Sequence, residues 1–66
     1  MNNKVMIFAK YIRSNTPFEE EEGLTRGLVY AVKRIDKESH RVYLEGFENT
    51  YCTVCFEFYK GTKITI

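Results

Sequence analysis

Sixty-six residues with a hydrophobic fraction of 44%, an aromatic fraction of 15% and a formal net charge of +1 describe one small domain spanning 1–66. That apolar content supports a packed core and excludes a disordered chain, which calls for less hydrophobicity and more net charge. The near-neutral balance also argues against a dedicated duplex-DNA binder, because phosphate neutralisation supplies most non-specific affinity there.

The opening MNNKVMIFAKYI carries an apolar run that Lys10 cuts short, with no small-residue cleavage site after it, so it does not read as a signal peptide. Nowhere does the chain approach the ~20 apolar residues that span a membrane. Two cysteines without a secretion signal point to a reducing cytoplasm, where they stay thiols. Within the opening, Val5–Ile12 is the predicted first strand. Val5, Ile7, Ala9 and Tyr11 share one face, and Met6, Phe8, Lys10 and Ile12 the other. Since both faces are largely apolar, the strand is either covered on both sides or left partly exposed and sticky.

A long loop follows over RSNTPFEEEEG. The stretch FEEEEGLTRGLVYAV has helix-forming residues, but Gly23 and Gly27 interrupt it, each costing roughly 1 kcal/mol in a helix interior. Thr25-Arg26-Gly27 instead reads as a turn leading into a second strand, Leu28–Ile35. Asp36-Lys37-Glu38-Ser39 is a polar hairpin turn. The third strand, His40–Phe47, sends Val42 and Leu44 one way and Arg41, Tyr43 and Glu45 the other.

After a turn at Glu48-Asn49-Thr50, the stretch YCTVCFEFY alternates. Unbroken alternation puts Cys52, Val54, Phe56 and Phe58 in the core and turns Tyr51, Thr53, Cys55, Glu57 and Tyr59 outward. Lys60-Gly61 is a weak turn signal before a short last strand in TKITI. Five or six short strands with one long early loop imply a small, strongly bent antiparallel barrel.

Three pieces in order, AKYI (Ala9–Ile12), GLTRGLVYAVKRID (Gly23–Asp36) and YCTVCFE (Tyr51–Glu57), resemble the SH3-like barrel. The match is nearer still to the very short SH3-like proteins of Gram-positive bacteria and their phages, which carry Leu-Thr-x-Gly-x-x-Tyr-x-Val and a late Tyr…Phe-Glu. Leu24, Thr25, Gly27, Tyr30, Val32, Tyr51, Phe56 and Glu57 match that pattern over roughly residues 9–58. The resemblance implies a small all-β SH3-like barrel and a short 3₁₀ turn before the closing Phe-Glu. It implies little about function. Without a Trp, and without a proline beside Tyr51, proline-motif recognition is not implied.

Several residues are candidates for chemistry. Cys52 and Cys55 make half of a structural zinc site, with His40 as the one further ligand, and they lack the helix N-terminus that activates a redox pair. They read as core packing, and no cofactor or metal is expected. No catalytic residue stands out, since no nucleophile pairs with His40. The expected role is a non-enzymatic module that docks on another protein, and the resemblance to the short SH3-like proteins implies a phage or prophage accessory protein. Phe18, Glu19, Glu20, Glu21 and Glu22, with Tyr51 and Tyr59, form its expected contact surface. The alternative is a nucleic-acid-binding barrel using Lys33, Arg34, Lys37, Arg41 and Tyr43. A third option is a homodimer joined along the apolar first strand, with zinc held at paired Cys52 and Cys55.

Overall fold

A computed structural model of the chain describes residues 6–14 and 23–66. Six strands form one antiparallel sheet: β1 Phe8–Tyr11, β2 Val29–Asp36, β3 Arg41–Leu44, β4 Thr50–Cys52, β5 Phe56–Lys60 and β6 Thr62–Ile64. Their order across the sheet is β4-β3-β2-β1-β5-β6. A single 3₁₀ turn, Thr53–Cys55, separates β4 from β5. Strand number, antiparallel pairing and the turn before β5 are those expected of a small all-β SH3-like antiparallel barrel. No helix among the described residues is long and apolar enough to cross a membrane.

The sheet bends at β2. Its first half, Val29 to Ala31, pairs with β1, and its second half, Val32 to Asp36, pairs with β3. An irregularity between Val32 and Arg34 marks the change, where the extra residue Lys33 increases local twist. Two backbone bonds flank it: the Glu45 amide donates to the Ala31 carbonyl at 3.0 Å, and the Val32 amide donates to the Ile7 carbonyl at 2.8 Å. One strand thus serves both halves of a curled sheet.

The lead-in to β2 shows why its sequence takes this form. Leu24 drops into the core, and the Thr25 amide donates to the Tyr30 hydroxyl at 2.7 Å. Gly27 stands at φ 91 with open space where a Cβ would go, so its conformation rather than crowding calls for glycine. That conformation aims its amide at the Tyr11 carbonyl, 2.7 Å away. In the β2–β3 turn the Asp36 Oδ1 accepts from the Glu38 and Ser39 amides at 3.1 and 3.3 Å, an Asx-type turn. His40, at φ 58, offers its carbonyl to the Thr53 amide at 3.0 Å, so it is a turn residue that also anchors the 3₁₀ turn.

The core contains Ala9, Tyr11, Leu24, Val42, Leu44, Tyr51, Cys55, Phe56 and Phe58. Ala9 and Tyr11 face inward while Phe8 is exposed, so the first strand is the partly exposed kind rather than the doubly covered kind. Val42 and Leu44 are buried, as their alternation predicts. The expectation of unbroken alternation through 51–59 is overturned. Tyr51 and Cys55 are buried with Phe56 and Phe58, whereas Val54 is 51% exposed and Cys52 only half-buried. The 3₁₀ turn is the reason, because three residues per turn break the two-residue period of a strand and reset which side faces in. Tyr51 then joins a run of edge-to-face rings from Tyr30 through Phe47 to Phe56, with centroids 5.5 to 6.3 Å apart.

Core truncation at Phe56 (Phe56→Ala) is expected to cost about 3–5 kcal/mol, whereas Val54→Ser should change stability by no more than about 0.5 kcal/mol. Urea-unfolding midpoints of the two variants check this. Equal losses at 54 and 56 would mean that the strand period runs on unbroken.

Candidate protein-contact surface

Because Ala9 and Tyr11 point into the core, Phe8 and Lys10 point out, and the register carries that outward row across the sheet. Phe8 lies opposite Ala31 on one side and Tyr59 on the other, and Lys10 opposite Val29 and Glu57. Tyr59 in turn faces Lys63 on β6. Directly opposed residues of antiparallel strands share a face, so Phe8, Val29 and Tyr59 form an apolar centre rimmed by Lys10, Glu57 and Lys63. Phe8 is 39% and Val29 54% exposed. The three line a shallow concavity of about 580 Å³ together with Lys10, Gly27 and Gly61.

The rim is held electrostatically. Glu57 accepts from the Tyr59 hydroxyl at 2.8 Å and pairs with the Lys63 ammonium at 3.3 Å. The Tyr59 hydrogen bond first, and Lys63 second, hold the Glu57 carboxyl below its usual range. The same hydrogen bond pushes the Tyr59 phenol above its usual range. In the hairpin turn, hydrogen bonds from Ser39 hold Asp36 low.

Of the two expected contact residues that are described, Tyr51 and Tyr59, Tyr59 is found on this outward face. Tyr51 is 3% exposed and belongs to the core, because the 3₁₀ turn shifts its phase. Phe18, Glu19, Glu20, Glu21 and Glu22 lie outside the described residues. Phe8 and Val29 are the members that sequence reasoning missed as contact residues. The signal for Phe8 was the second apolar face of the first strand, whereas Val29, at the start of β2, joins it only through the β1–β2 register.

The residues grouped for nucleic-acid binding separate into two sets. The Arg34 guanidinium sits over the Tyr43 ring, 4.2 Å from its centroid, so that ring's face is covered by a cation. The Arg41 guanidinium donates to Thr50, from Nε to Oγ1 at 3.1 Å and from Nη2 to the carbonyl at 2.6 Å, bracing β3 against β4. Lys33 and Lys37 are exposed at the bulge and the turn. Cys55 is fully buried, Cys52 half-buried, and neither forms a disulfide. Among the described residues no three His, Cys, Asp or Glu side chains converge as metal ligands.

The chain matches no protein-family model, no curated protein and no solved structure.

The Glu57–Tyr59 contact has a pH window. A carboxyl whose pKa is lowered on folding stabilises the fold above its usual value of 4.5, and that stability is lost as pH falls through the folded value. A phenol whose pKa is raised stabilises below its usual value of 10.0, and the contribution is lost as pH rises through the folded value. The difference in urea midpoint between the wild type and Glu57→Gln should therefore be largest near neutral pH and shrink toward pH 3 and pH 11. A difference that stays flat across the range would rule the contact out.

Proposed function

We propose that the protein is a small non-enzymatic binding module, built as an SH3-like barrel, that docks on another protein through the outward face of β1, β2 and β5. The observation that carries this is a contiguous apolar centre, in which Phe8 and Val29 are exposed and Tyr59 is half-buried, with charged residues at its edge. An apolar centre with a polar rim is the anatomy of a protein contact patch, and buried aromatics supply much of the binding energy in such patches. The resemblance to short SH3-like proteins of Gram-positive bacteria and their phages supports an accessory role, with a host protein as the partner. The acidic run Glu19–Glu22, beside Phe18, would add affinity for a partner with basic surface. Two cysteines outside any disulfide suit a reducing cytoplasm.

Nucleic-acid binding has less support. Stacking needs an open aromatic face beside free cations, and here Arg34 covers Tyr43 while Arg41 is engaged with Thr50.

Affinity capture from host lysate tests the proposal, with the wild type beside a Phe8→Ser/Val29→Ser variant. Each side chain is more than a third exposed, so the variant should stay folded by circular dichroism. Loss of two central apolar contacts should weaken capture about tenfold or more. Undiminished recovery of the same partners by the folded variant would overturn the outward face as the docking surface.

A further inference from the structure

A second concavity lies away from the outward face, between β6 with the residues after it and the second half of β2. It encloses about 430 Å³. Ile7, Val32, Ile35 and Ile64 supply aliphatic surface to it, all partly buried against the core. Lys33, Arg34, Lys37 and Lys60 stand around them, with Glu45 the one acidic side chain among the described lining residues. Strand alternation explains the arrangement: Lys60 shares its side of β5 with Phe58, whereas Tyr59 and Glu57 share the other. One wall is β6, the last strand in the sheet order, with no strand beside its outer edge among the described residues.

We propose that this groove binds an extended, acidic peptide segment whose apolar side chains alternate with carboxylates. Three observations on the groove converge on that chemistry. Four cationic side chains against one acidic side chain select an anionic partner. The aliphatic surface rewards apolar side chains, which a free inorganic anion lacks. The outer edge of β6, which pairs with no other described strand, offers backbone hydrogen bonds to an extended chain, with alternate side chains entering the groove. Nucleic acid fits less well, because the described lining contains no aromatic ring on which a base could stack. The site is separate from the outward docking face, and either can hold without the other.

The probe is a fluorescein-labelled eight-residue peptide of alternating Glu and Val, titrated with the full chain and followed by fluorescence anisotropy at 20 and 150 mM salt. Binding should be saturable and weaken several-fold at the higher salt. The Lys33→Glu/Lys37→Glu variant changes two exposed side chains, so it should fold normally and lose tenfold or more in affinity. Phe8→Ser/Val29→Ser should bind the peptide as the wild type does, which separates this groove from the outward face. The proposal is overturned by any of four results. These are no binding at 20 mM salt, unchanged affinity in the lysine variant, equal binding of a Lys-Val or an all-Glu peptide, or displacement by oligo(dT) at lower concentration than by unlabelled peptide.

Discussion

The bend in β2 is the constraint on which the rest of the molecule depends. A flat six-stranded sheet of this size would leave one apolar face in water, since the chain has no helix to cover it among the described residues. Passing β2 from β1 to β3 at Ala31–Lys33 lets the sheet curl over its own inner face instead. The two carbonyl–amide bonds at the crossover, Glu45 to Ala31 and Val32 to Ile7, satisfy the backbone where the ladder would otherwise be interrupted. Val42 and Leu44 from one half-sheet can then meet Ala9, Phe56 and Phe58 from the other.

The 3₁₀ turn closes what the bend begins. Its Cys55 carbonyl accepts from the Ile12 and Arg13 amides, and its Val54 carbonyl accepts from the Arg13 side chain at 2.8 Å. The start of the long loop is thereby pinned to the turn between β4 and β5. On the other side, Thr53 is tied to the hairpin through His40. A three-residue segment therefore gathers the end of β1, the β2–β3 hairpin and β5, and it does so largely through backbone groups. Cys55 occupies the small buried space that remains at its centre, a use of cysteine as a compact hydrophobe.

How legible the fold was depended on whether the determining feature was local. The turn at Thr25-Arg26-Gly27 was readable because its determinant is local, a glycine that takes φ 91, whereas the burial of Leu24 and the return of the Tyr30 hydroxyl to the Thr25 amide were seen only in the structure. Asp36 and its turn were readable for the same reason. Residues 51–59 were misread, since alternation cannot reveal a phase change made by the turn inside it, and Tyr51 and Val54 traded places as a result. The contact face was legible only in part. Tyr59 lies outward as its parity requires, but its neighbours Phe8 and Val29 come from strands about 50 and 30 residues away and become a patch only through register. The groove needed the bend itself, which brings residues 33–37 toward the last strand.

A net charge of +1 conceals a division between two surfaces. On the outward face, Lys10 and Lys63 are offset by Glu57, which bonds to Lys63 and to Tyr59, so the charges there frame an apolar centre without dominating it. On the groove side, Lys60, Lys33, Arg34 and Lys37 meet a single described acidic side chain, Glu45. The separation follows from the two-residue period of β5 and β6, which sends Lys60 and Lys63 to opposite sides although only three positions separate them. Each side of this small barrel therefore favours a different chemistry, apolar on the outward face and anionic at the groove. Total charge predicts neither, because the fold sorts the charges that the sum combines.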